Sequence, residues 1–120
     1  MGVWYVWHLG LDEALPVVRS RIRAYNEAVG TPNTDEGGYH ETLTRFYLTR
    51  IAQLLRLHPA ESLAQIQSRV PRSTCFGRAA PLRHYSRERL FSVQARRQWL
   101  EPDRAPLSAA DLAAERAHDD

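Results

Sequence analysis

Apolar residues at Leu11, Leu15, Val18, Ile22, Tyr25 and Val29 return at steps of four and three, which places them on one stripe of a helix with Arg19, Arg21, Arg23 and Glu27 directed elsewhere. Gly10 separates this helix from an aromatic opening. Asp12 and Glu13 suit the positive end of its dipole, and Pro16 is tolerated near the first turn. Gly30 and Pro32 end it. Thr31 to Gly38 is a polar loop in which Thr34, Asp35 and Glu36 offer capping oxygens. A second helix is predicted from Tyr39 to His58, with a stripe of His40, Leu43, Tyr47, Ile51, Leu54 and His58 that Phe46, Leu48 and Leu55 widen. An apolar surface that wide suits the central helix of a bundle.

The remaining elements are shorter. Pro59 can open a helix from Ala60 to Arg69 with Leu63, Ile66 and Val70 on its apolar face, and Pro71 to Pro81 reads as loop. Ser86 and Ser92 are placed to cap two short helices before Pro102 and Pro106. At the other end, Val3 to Leu9 covers about two turns yet carries Trp4, Tyr5, Val6, Trp7 and Leu9. No useful β-alternation and no internal repeat occurs. The fold class predicted is therefore all-α, a small bundle of three to four helices with a polar C-terminal tail. With 120 residues and 43% hydrophobic content the chain fits one domain, taken as residues 1–102, followed by a polar tail, 103–120, in which a weak helical segment from Ser108 to Ala117 is expected to fray.

Charge changes this picture only locally. All 16 basic residues are arginine, a usage that with abundant Ala and Leu marks a GC-rich bacterial genome. The formal net charge of +2 does not point to nucleic acid, but residues 61–100 hold eight arginines against Glu61 and Glu88, and 101–120 hold two against six carboxylates. The acidic tail can screen the basic segment, or the segment can meet an anionic partner. A lone Cys75 makes neither a disulfide nor a metal motif, so the chain is expected to be cytoplasmic. The apolar start is too short for a membrane span or a signal peptide.

Chemistry concentrates where Tyr39-His40-Glu41 opens the long helix. The dipole there disfavours an imidazolium at His40 and stabilises the Glu41 carboxylate, so the two can serve as a catalytic acid and base. The structural alternative has His40 bonded to a loop carbonyl and Glu41 paired with Arg45 one turn on. A metal site would need His8 or His84 to join them, and no ligand spacing supports one, so metal and cofactor stay unknown. Tyr39 and Tyr47, with Tyr85 and Trp99, are candidate ligand-binding walls of an interhelical pocket.

Two separated segments also resemble a family of short bacterial helical proteins. They are Gly38-Tyr39-His40-Glu41-Thr42-Leu43-Thr44 and, later, Tyr85-Ser86-Arg87-Glu88-Arg89-Leu90-Phe91-Ser92 with Ala95-Arg96, Trp99, Pro102-Asp103 and Pro106-Leu107. The resemblance spans about residues 4–107 and brings no reaction with it. Members of that family open with a Phe-x-His-x-x-His-Leu helix ahead of the position held here by Trp4. Those histidines are absent, and the apolar start points to a missing stretch; a family site built on them would be impaired here. The function expected from all of this is a small-molecule-binding protein or minor metabolic enzyme, metal-assisted or not, with its pocket at the start of the Tyr39-His40-Glu41 helix. The alternative is a non-catalytic interaction protein that docks an acidic partner on the Arg-rich segment 69–97. Self-association through Trp4 and Trp7 to a homo-oligomer is expected in either case.

Overall fold

The computed structural model describes residues 2–119, with side chains described through Glu115. It is all-α, and among the described residues seven α-helices occur with no strand beyond an isolated Thr34–Gly37 bridge. They are α1 (Gly2–Leu9), α2 (Leu11–Ala28), α3 (Glu41–Leu57), α4 (Leu63–Arg69), α5 (Arg87–Leu90), α6 (Val93–Arg97) and α7 (Ala110–Asp119). Three short 3-10 turns lie at Val70–Arg72, Thr74–Phe76 and Ala80–Arg83, in the stretch expected to be loop. No described helix is long and apolar enough to cross a membrane.

Helix α3 is central because it is buried on several sides. Phe46, Leu48, Ile51 and Leu54 are all buried, and so are Thr42 and Arg50. It separates two cores. On one side Val3 and Val6 of α1, Ala14 and Val18 of α2, Ile66 of α4 and Leu112 of α7 pack with Leu48, Ile51 and Leu54. On the other, Phe46 packs with Ala80, Tyr85 and Leu90, flanked by Leu43, Tyr47, Leu82, Trp99 and Leu107. Each fully buried Leu, Ile or Phe in these clusters contributes roughly 1.5–3 kcal/mol by leaving water.

Helix α2 outlasts its packing partner. Tyr25 and Val29, predicted on its buried stripe, are 67% and 56% exposed, since the last turns run past α1 and α3. Pro16 lies in the second turn without breaking the helix; it and Asp12, whose carbonyl loses its bond there, both face solvent. Two boundaries also move. α3 is capped by the ring of His40 rather than by Thr34, Asp35 or Glu36, and α4 begins at Leu63 because Ser62 and Gln65 form a reciprocal capping box.

The tail behaves differently from a frayed appendage through Glu115. Leu112 is 2% exposed in the first core, and Asp111 forms an ion pair with the wholly buried Arg50. Arg50 also donates to the Ser108 carbonyl, and Glu115 accepts bonds from the hydroxyls of Ser73 and Thr74. A boundary at residue 102 would cut through these contacts. For residues beyond Glu115 the expectation of fraying lies outside the described side chains.

Candidate functional site

The loop between α2 and α3 is held by one side chain. Asn33 Oδ1 accepts from the Tyr39 amide (3.0 Å) and from Asn26 Nδ2 (3.0 Å), while its own amide donates to the Arg23 carbonyl (3.1 Å). The chain then passes Gly38 with φ of 82°, where a Cβ would stand 2.5 Å from the Pro32 carbonyl oxygen. Only glycine fits that approach. This turn delivers Tyr39, His40 and Glu41 to the start of α3, with Tyr39 and Glu41 on one side and His40 on the other.

Glu41 turns toward α2. Its Oε1 accepts from Arg19 Nε (2.9 Å) and from the Tyr39 hydroxyl (2.6 Å), and its Oε2 accepts from Arg19 Nη2 (2.7 Å). The pairing with Arg45 considered from sequence does not form; Arg45 instead lies over the Trp99 ring, 4.9 Å from its centroid. Burial works to raise the Glu41 pKa, but the bonds from Arg19 and Tyr39 outweigh it and hold the carboxyl below its usual range. Burial and the bond to Glu41 push the Tyr39 phenol up to about 12. At neutral pH the group is thus a fixed carboxylate held by a cation and a phenol.

His40 turns the other way, into the protein. The Leu43 amide donates to its Nδ1 (3.1 Å), and Nε2 lies 2.8 Å from the Leu90 carbonyl oxygen, so the tautomer that satisfies both bonds carries its proton on Nε2. The ring is 7% exposed, and burial lowers its pKa, with the nearby Arg96 charge acting in the same sense. Both nitrogens are therefore spent, one as the helix cap and one as a tie to α5. Among the described residues no group of three or more His, Cys, Asp or Glu is placed to hold a metal ion. His84 Nδ1 meets the Ala105 carbonyl, and His8 is exposed beside Trp4.

A cavity of about 300 Å³ opens over Tyr39 and Glu41, lined also by Arg19, Arg23, Asn33, Asp35, Arg96 and Arg97. Arg97 forms a bidentate pair with Asp35, and Arg96 Nη1 donates to the carbonyls of Gly38 (3.2 Å) and Tyr39 (3.3 Å). No family model, curated protein or solved structure matches the chain.

The single pocket expected from Tyr39, His40, Tyr47, Tyr85 and Trp99 is divided in the fold. Tyr39 and Glu41 share the cavity, whereas His40 does not line it. Tyr85 is wholly buried with its hydroxyl donating to the Leu100 carbonyl (2.6 Å), and the Tyr47 hydroxyl donates to that of Gly77 (2.9 Å). Trp99 lines a separate, larger groove of about 520 Å³ with Leu11, Arg45, Pro102 and Leu107. What sequence reading missed are Arg19, Arg23 and Arg96. The signal available was the four-residue step from Arg19 to Arg23, which puts both on one face of α2.

Proposed function

We propose that this chain is a small-molecule-binding protein whose ligand enters the cavity at the start of α3, with Glu41, Tyr39 and Arg19 as fixed polar anchors. The observation that carries this reading is that a concave site lies where the catalytic pair was expected and that its polar groups are already oriented by one another. Glu41 acts as an orienting anion rather than a free base, since three donors occupy it. His40 acts as a positioning residue that fixes the turn from which Tyr39 and Glu41 project. Kinship with the bacterial family is part of the proposal. Its support is that the two resembling segments meet in space: His40 bonds the Leu90 carbonyl, Arg96 bonds those of Gly38 and Tyr39, and Thr42 bonds that of Gln98.

The interaction reading would rest on a few arginines only. Within 69–97, Arg69 pairs with Glu61, Arg97 with Asp35, and Arg72, Arg89 and Arg96 donate to carbonyls, which leaves the exposed Arg78, Arg83 and Arg87 for an acidic partner. None of the three lines the cavity over Tyr39 and Glu41. Self-association through α1 belongs to the proposal as well, because Trp4 and Trp7 are 47% and 38% exposed one helical turn apart. A monomer by light scattering at high protein concentration would contradict it.

The cavity is tested by filling it. Thr34 is an exposed lining residue, so Thr34→Trp should occlude the space with little effect on folding. We expect a metabolite mixture of all charge classes, screened by saturation-transfer NMR, to yield ligands of the wild-type protein that the occluded variant no longer binds. Ligands that bind both proteins equally, or none at all, would sink this reading.

A further inference from the structure

We infer that the cavity takes a small dianion, a molecule presenting a phosphate or a pair of carboxylates, and that Arg23 and Arg96 are the residues that bind it. The inference rests on the cavity reading above and adds the class of ligand. Four guanidiniums, those of Arg19, Arg23, Arg96 and Arg97, face two carboxylates, Asp35 and Glu41.

Each carboxylate is already consumed. Glu41 is held by two nitrogens of Arg19, and Asp35 by two nitrogens of Arg97. Both acids are held below their usual pKa: Asp35 by its bond to Arg97, and Glu41 because its hydrogen bonds outweigh burial, so both stay ionised at neutral pH. Arg19 and Arg97 are thereby neutralised. Arg96 spends Nη1 on two neutral carbonyls, which leaves Nε and Nη2 with no carboxylate among the described residues. The Arg23 guanidinium lies 6.0 Å from the Tyr39 ring centroid and likewise has no carboxylate partner among them.

The cavity is equally lopsided in hydrogen-bonding capacity. Asn33 Oδ1 already accepts twice and Glu41 accepts three times, whereas the guanidinium of Arg23 and Nε and Nη2 of Arg96 donate to no carboxylate among the described residues. A cationic ligand would therefore meet two uncompensated positive charges and carboxylates that are already paired. An oxyanion meets unspent N–H donors in the fork geometry that guanidinium groups offer to phosphate and carboxylate. Two uncompensated cations call for two negative charges. A volume of about 300 Å³ limits the ligand to a compact molecule.

The test uses the full chain with arginine Nε–Hε signals followed by NMR. Inorganic phosphate and malonate are the two probes, each titrated at constant ionic strength set with chloride. We expect saturable shifts of the Arg23 and Arg96 signals with at least one probe, and the tighter probe identifies the headgroup chemistry. The Arg23 guanidinium makes no hydrogen bond among the described residues, and its backbone carbonyl keeps the bond from Asn33 whatever the side chain, so Arg23→Gln should fold normally and weaken binding about tenfold or more. Arg96→Gln serves as the second variant, with its amide spectrum checked for folding. Arg78→Gln, which removes an exposed arginine outside the cavity lining, should leave affinity within about threefold, as a distant surface charge is screened by salt. Absence of saturable shifts with both probes, or equal affinity in Arg23→Gln, overturns the inference. An uncharged ligand that binds wild type and fails on Thr34→Trp would also overturn it while leaving the cavity reading intact. Failure of every ligand would remove both.

Discussion

Replacing Asp111 with alanine should destabilise the protein by about 3–5 kcal/mol, the largest effect expected of any single surface-reaching residue here. The reason lies in its partner. The Arg50 side chain is wholly buried, whereas that of Asp111 is 37% exposed. Arg50 Nη2 binds Asp111, Nη1 binds Gln53 Oε1 (2.8 Å) and the Ser108 carbonyl (2.9 Å), and Nε has no hydrogen-bond partner among the described residues. Without the carboxylate, a full positive charge stays in the core with only neutral acceptors. The same change frees α7, so Leu112 loses its place in the first core. Urea denaturation of Asp111→Ala beside the double variant Arg50→Met with Asp111→Leu checks the argument. The double variant should recover most of the loss, because an apolar pair removes the charge together with its partner. Equal loss in both would show that the segment matters for its shape and not for its charge.

The pair also sets an acid limit. Burial works to raise the Asp111 pKa, and the bond and charge of Arg50 lower it further than burial raises it, so the folded value lies below the ordinary one. A depressed carboxylate contributes stability above its unfolded pKa and loses it as pH falls through the folded value. This contribution is therefore constant at neutral pH and fails only below about pH 4.

His40→Ala should cost about 3 kcal/mol and should do so without touching the cavity lining. The cap to the Leu43 amide accounts for about 1 kcal/mol, and the Leu90 carbonyl left without a donor inside the protein adds about 1–3 kcal/mol. His40→Asn keeps a capping oxygen but cannot reach Leu90, so it should fall between. The pH dependence separates this role from a catalytic one. Burial lowers the His40 pKa, so the unfolded chain takes up the proton first, and stability drops as pH falls below about 6.5, the ordinary histidine value. Protonation must also displace the Leu43 amide from Nδ1, at a helix end whose dipole opposes positive charge. Urea midpoints of wild type should therefore decline as pH falls below about 6.5, a decline that His40→Asn lacks. A variant with unchanged stability and pH profile would return His40 to the list of candidate bases.

Local rules were legible in the chain with little ambiguity. The 3.6-residue period located α2 and α3 to within two residues at most ends, and Ser86 and Ser92 cap α5 and α6 as their position before short helical runs required. The breadth of the apolar surface from Leu43 to Leu57 already marked α3 as central. These features depend on neighbours within four or five positions, so sequence alone determines them.

Tertiary structure decided everything that depends on which face meets which. Tyr25 and Val29 obey the helical period and still face water, because period says nothing of how far the opposing helix extends. Arg50 lies on the same helix as seven other charged or polar residues, Tyr47 aside, and was no more conspicuous than they are; its burial follows from Ser108 and Asp111, some sixty positions on. The candidate site shows the same division. Sequence marked Tyr39, His40 and Glu41 as the place for chemistry, yet the turn at Gly38 sends His40 inward to Leu90 and Glu41 outward to Arg19. Arg19 and Arg23 come from α2, Arg96 from α6, and only the fold gathers them over Tyr39. Helices and caps are short-range and were determined by the sequence by itself; the cavity and its surplus charge arise from contacts distant in the chain, and packing alone creates them.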